Sequence, residues 1–155
     1  MQLPHPKLKF PPINLRVKPS KGSIMVWDSL RRSYIVLTPE EWVRRHVVSF
    51  LMEELLIPAA QIVQEYPVVL NAQRQRADVV VLSRQGEPAM MVECKAYDVK
   101  ISQSTLDQAV RYNSVLRARY VMLTNGFSHH LYECLDCEGS YCPLRSFSEL
   151  ELSNS

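Results

Sequence analysis

Residues 77–98 read ADVVVLSRQGEPAMMVECKAYD, two apolar runs around a polar, Gly-containing turn, which predicts a β-hairpin. With the turn centred on Gln85-Gly86, Ser83 faces Pro88, Asp78 faces Glu93 and Arg76 faces Lys95. Side chains alternate along a strand, so Glu93 and Lys95 share one face while Val92, Cys94 and Ala96 share the other. Asp78 then falls on the face of Glu93, with the two Cβ atoms roughly 4.5–5.5 Å apart.

Two carboxylates placed opposite each other at the end of apolar strands repel, and they destabilise the fold unless a cation sits between them. A divalent metal meets that need. Magnesium takes hard oxygen ligands and often only one or two protein carboxylates, with water and substrate phosphate completing its shell; manganese is its substitute. The reading makes Asp78 and Glu93 metal ligands, with the carbonyl of Cys94 as a further one. Lys95 orients the attacking water and stabilises charge on a phosphoryl oxygen. Arg76, opposite Lys95, is a phosphate-contact candidate. The competing reading is a surface charge ladder, which the apolar neighbours disfavour.

Outward from the hairpin, the 155-residue chain suits one domain with a core of its own. Its hydrophobic fraction of 46% and charged fraction of 22% fit an ordinary soluble globular protein. No apolar run is long enough to span a bilayer, and the first residues, MQLPHPKLKF, lack a signal-peptide core; the expected location is cytoplasmic. A net charge of +2 announces no global basic field, so nucleic-acid contacts would be local. Cys94, Cys134, Cys137 and Cys142 do not resemble a secreted disulfide framework. With His129 and His130 the last three raise a zinc reading, but no second CxxC pair exists, and plain cysteines are expected.

Residues 1–22, rich in proline, predict an extended arm, and 23–150 a single domain. The segment SIMVWDSLRRSYIVL reads as a hairpin or a strand with a turn. Thr38 as N-cap, Pro39 at the first position and Glu41 as the capping-box partner start a helix. Its apolar face of Val43, Val47, Phe50, Leu51 and Leu55 runs to about residue 57, before Pro58. QIVQEYPVVL predicts a strand, and STLDQAVRYNSVLR a second helix with Ser104 and Asp107 as cap and partner. RYVMLTNGF and LYECL predict further strands, the latter followed by a turn in DCEGS. This order suits an α/β or α+β fold with a mixed central sheet flanked by helices.

Asp78, fourteen residues, then Glu93-Cys94-Lys95 matches the D…(D/E)xK signature of the PD-(D/E)XK nucleases. More narrowly, LTPEEWVR, RADVVVL, VECKAY, LDQAVRYN and VMLTNG, in that order, resemble the N-terminal nuclease domain of type I restriction enzyme R subunits and its small stand-alone relatives, over about residues 24–145. The resemblance implies a restriction-endonuclease-like core and Mg²⁺-dependent cleavage of DNA. It implies Asp78 and Glu93 as metal ligands, Lys95 as the catalytic lysine, and Glu41 as the first-helix acid added to the metal shell. It also implies a supporting QxxxY motif, Gln108 and Tyr112, whose i,i+4 spacing puts amide and phenol on one helix face. Glu41 has a second reading as a helix cap, and Gln108 and Tyr112 as one side of an amphipathic helix.

No helicase motor is read in these 155 residues, unlike in full R subunits, so ATP-driven translocation is not expected as their own activity. The alternative function is a nucleic-acid-binding subunit that works only with a helicase or specificity subunit, which the modest net charge favours. Cutting both strands of a duplex would be easier for a homodimer.

Overall fold

The computed structural model describes residues 3–136 and 139–152. Strands β1 (Val17–Ser20), β2 (Ser23–Asp28) and β3 (Ser33–Val36) form a small antiparallel sheet. Helix α1 (Pro39–Glu53) follows, then a 3₁₀ turn at 59–61, β4 (Ile62–Leu70), β5 (Gln73–Leu82) and β6 (Pro88–Cys94). Helix α2 (Gln103–Leu116) crosses to β7 (Tyr120–Thr124), and β8 (His129–Cys134) and β9 (Tyr141–Leu144) finish the sheet.

The main sheet runs β4-β5-β6-β7-β8-β9. Only β6 and β7, joined through α2, are parallel; their other neighbours are antiparallel. Parallel neighbours need a crossover, and the helix supplies it. One face packs on α1, where Val43, Val47, Val48 and Leu51 meet Val79, Val81, Met90, Val92 and Met122. The other packs on α2, where Ala109, Tyr112 and Leu116 meet Val80, Met91, Val121 and Leu123. The central strands are thus buried on both faces, which is why β6 up to Val92 and β7 read as apolar runs. This is the mixed α+β architecture, a six-stranded sheet between two helices, that a restriction-endonuclease-like core requires. No described helix is long and apolar enough to cross a membrane.

The hairpin register holds through Val79↔Val92, Val80↔Met91 and Val81↔Met90, then shifts so that Leu82, not Ser83, faces Pro88. The shift arises at the turn: Ser83 both donates to and accepts from the loop backbone (Ser83 N–H to Glu87 O, 2.7 Å; Gly86 N–H to Ser83 O, 3.0 Å), and Gly86 adopts φ +85°. Helix α1 ends earlier than its apolar pattern, at Glu53. Leu56 turns left-handed at φ +57°, and the Ile57 N–H closes on Leu51 O at 2.9 Å. Helix α2 begins at Gln103, before the expected cap: the Ser102 N–H donates to Thr105 Oγ1 at 3.3 Å.

Residues 3–16 carry no strand or helix, yet they are pinned. Leu8 is 3% exposed within the α1-side core and lies against Gly126. Lys9 N–H donates to Gly126 O at 2.8 Å, and Trp42 Nε1–H donates to Pro6 O at 2.8 Å. Part of the expected 136–140 turn, with Cys137, lies outside the described residues.

Candidate functional site

The site forms where the strand pairing of the hairpin stops. The β5–β6 ladder ends at Val79↔Val92, one step short of Asp78 and Glu93. On its other side β5 also loses its pairing at Asp78: the β4–β5 ladder omits Glu65 and Asp78, and Glu65 has φ +53°. Val79 and Val81 pack on the α1 side, whereas Ala77 packs on the α2 side. The strand turns over at this point, as strands do at irregularities, and Asp78 is brought under the first turns of α1.

Asp78 Oδ2 accepts the Cys94 N–H at 2.7 Å, so the aspartate is tied to the end of β6. Beyond it, the Lys95 N–H donates to Thr124 O at 2.8 Å, fixing the residue after the strand to β7. Glu93 is 7% exposed and Lys95 Nζ lies 3.9 Å from Glu93 Oε1. Burial, followed by the neighbouring Asp78 charge, pushes the Glu93 carboxyl up to about 8, against the opposing pull of Lys95. Glu93 Oε2 is buried without a hydrogen-bond partner. A protonated Glu93 hydrogen-bonds to the neighbouring Asp78 carboxylate, so the buried acidic pair is held together by a proton that a cation could replace.

Helix α1 adds four charges, Glu40, Glu41, Arg44 and Arg45. Thr38 Oγ1 accepts the Glu41 N–H at 3.1 Å, as the capping reading expects. The Glu41 carboxylate goes elsewhere: Oε2 receives Arg44 Nη1 at 2.8 Å and Oε1 pairs with Arg45 Nη2 at 3.1 Å. Arg44 Nη2 also stands 3.2 Å from both Glu40 Oε1 and Asp78 Oδ1. Burial, then the Asp78 charge, raise the Glu40 carboxyl, with Arg44 and Lys95 pulling against them. Arg44 is buried, which opposes its charge, but Glu41 and Asp78 hold its pKa raised.

Behind the site, Arg45 Nη1 pairs with Asp28 Oδ1 at 3.1 Å. Asp28 is fully buried, accepts the Leu30 and Arg31 N–H groups, and receives Gln64 Nε2 at 3.0 and 2.9 Å. Burial works against its charge, but Arg45 and these donors together hold its carboxyl below the usual range. Arg45 also donates to Gln64. Asp28, Arg45, Glu41, Arg44 and Asp78 therefore form one line of alternating charges from the small sheet to the hairpin.

Gln108 and Tyr112 do come together on α2. Gln108 Nε2 donates to Tyr112 Oη at 2.9 Å, and the phenol reaches Gln75 Oε1 of β5 at 3.4 Å. The pair therefore touches the hairpin three residues before Asp78. Arg76 is not opposite Lys95. It faces Pro67 of β4, is 71% exposed, and pairs with Glu65 at 3.5 Å. The extrapolated register fails because β6 no longer pairs with β5 beyond Val92.

Arg44, Glu40, Arg45 and Asp28 were not singled out from the sequence. EEWVRR held a signal for the first two: residues three and four apart share a helix face, so Arg44 must lie beside Glu40 and Glu41. Asp28 had no such local sign. His129 is engaged by Thr124 Oγ1 and by Lys9 O, both at 2.7 Å, and among the described residues no three His, Cys, Asp or Glu side chains converge as a ready metal cage.

The family described as type I restriction enzyme R protein N terminus (HSDR_N) matches residues 39–147, well over half of the chain. The chain belongs to that family. No curated protein matches it. The matched span of the restriction enzyme family starts at the first residue of α1 and takes in Glu40, Glu41, Arg44, Asp78, Glu93, Lys95, Gln108 and Tyr112. Asp28 and the segment carrying Leu8 lie before it.

Proposed function

We propose that this restriction-family chain is a Mg²⁺-dependent nuclease that hydrolyses DNA phosphodiester bonds. The observation that carries the reading is the meeting of Asp78, Glu93 and Lys95 where β5 and β6 lose their pairing, inside the family-matched span. The residues fit a magnesium ion: two carboxylates are enough for it when water and phosphate complete the shell, and the orphaned Glu93 Oε2 is an oxygen in need of a partner. Asp78 and Glu93 would hold the ion, with the Cys94 carbonyl beside them. Glu41, the third carboxylate of the expected set, would have to release Arg44 and Arg45 to join. When bound, the metal supplies an activated water and polarises the phosphoryl oxygen.

Lys95 is 30% exposed on its side chain, so its ammonium can reach solvent and a phosphate while its backbone stays fixed to β7. It orients the attacking water and offsets charge that develops on the phosphoryl oxygens. Gln108 and Tyr112 steady the α2 side of the hairpin or meet a backbone phosphate. Calorimetric titration of Mn²⁺ tests the reading. Wild type should bind, and Asp78→Asn and Glu93→Gln should lose binding while keeping the native circular dichroism spectrum. A folded wild type that binds neither Mn²⁺ nor Mg²⁺ would overturn it.

A second reading, a DNA-binding module dependent on a helicase or specificity subunit, is favoured by the net charge of +2, small for a chain that must neutralise many phosphates alone. It predicts salt-dependent DNA affinity that Glu93→Gln leaves unchanged, and no turnover.

A further inference from the structure

Arg44 stands among three carboxylates: 2.8 Å from Glu41 and 3.2 Å from each of Glu40 and Asp78. A buried guanidinium is stable only where such partners surround it. Its contacts are not equivalent. Glu41 is fixed from behind, because Arg45 binds its other oxygen and is itself held by the fully buried Asp28. The Glu41 contact is therefore anchored through the fold, whereas the longer Asp78 contact bridges two separate elements. Across the site Glu93 Oε2 has no partner. Arg44 neutralises Asp78 directly, whereas Glu93 has only the more distant Lys95 Nζ, 3.9 Å from its Oε1, as a counter-charge.

We propose that Arg44 is the resident counter-cation of the metal-free site, and that a divalent ion bound by Asp78 and Glu93 displaces it from Asp78 while Glu41 retains it. The inference rests on the metal-binding reading of those two carboxylates. The physical ground is repulsion: a guanidinium and a divalent ion a few ångströms apart in a partly buried site weaken metal binding by about tenfold or more at the effective dielectric of proteins. Arg44 is thus a positioning residue. It holds Asp78 in place before the metal arrives and sets how much metal is needed to take that place.

The test is Mn²⁺ binding by calorimetry, without DNA, to wild type, Arg44→Met and Arg44→Lys, with thermal melts of each protein with and without the ion. Arg44→Met removes the charge and keeps most of the stem; it should bind Mn²⁺ at least about tenfold more tightly. It should also melt lower than wild type without metal and gain more from saturating Mn²⁺. Arg44→Lys keeps the charge and should stay within about threefold of wild type. Should Arg44→Met fail to fold, Arg44→Gln, which keeps a hydrogen bond to Glu41 without the charge, is read in the same way. Wild-type binding with equal or weaker binding in the neutral variants would overturn the inference and leave the metal site standing. Tighter binding in Arg44→Lys equal to that in Arg44→Met would also overturn it, because charge would not be the cause. Absence of binding in wild type and variants alike would remove the metal site itself, and this inference with it.

Discussion

Arg44 Nη2 lies 3.2 Å from Asp78 Oδ1, joining the second turn of α1 to the middle of β5, where the hairpin pairing stops and the candidate site forms. The contact ends a line of buried charges that begins at Asp28, outside the family-matched span. The small sheet is therefore coupled to the site by ion pairs as well as by chain connectivity.

Asp28→Asn should destabilise the protein by about 3–5 kcal/mol, because it leaves Arg45 as an undercompensated buried charge. Urea unfolding measures this directly. A loss below about 1 kcal/mol would show that Glu41 and Gln64 suffice for Arg45 and that the line of charges has no structural weight.

The Glu93 carboxyl, raised by burial to about 8 in the folded chain, gives a pH signature with a definite sign. Between its ordinary value near 4.5 and about 8, the unfolded chain releases a proton that the folded chain keeps. Its contribution to stability is therefore fully present below about 4.5 and declines as pH rises to about 8, where it levels off. Wild type should lose stability over that window relative to Glu93→Gln, as melts in metal-free buffer will show. Parallel pH curves for the two proteins would contradict the placement of Glu93. Metal binding should correspondingly release protons at neutral pH and strengthen as pH rises toward 8.

Leu8→Ala should cost about 2–5 kcal/mol, the range for truncating a buried leucine. The residue comes from a segment whose prolines suggested only a surface arm, yet it fills the space beside Gly126. Denaturant unfolding of the variant decides the point, and a near-neutral effect would mean that the segment merely lies against the core.

What the sequence made legible follows from what is local. The hairpin register was readable through its three valines and their partners because a two-residue period with a Gly turn leaves few options. The extrapolated pairing of Asp78 with Glu93 is not made, because the ladder stops at Val79↔Val92; the two carboxyls come together where β5 turns over. The break at Glu65 and Asp78 was hidden, since a positive φ at a glutamate has no compositional sign, and with it went the true position of Arg76. Arg44 was legible in principle from its spacing to Glu40 and Glu41. Its contact with Asp78 was not, because the two lie thirty-four residues apart and meet only once α1 is laid across the sheet. Leu8 was hidden for the same reason: a lone apolar residue among prolines has no periodicity to mark it as core.

The most direct test of the account is nicking of supercoiled plasmid DNA in Mg²⁺ by wild type and Lys95→Ala, both with folding verified by circular dichroism. The account predicts that wild type nicks the plasmid and that Lys95→Ala does so at least about 100-fold more slowly. No nicking by folded wild type in Mg²⁺ or Mn²⁺, or equal rates for the two proteins, would contradict it.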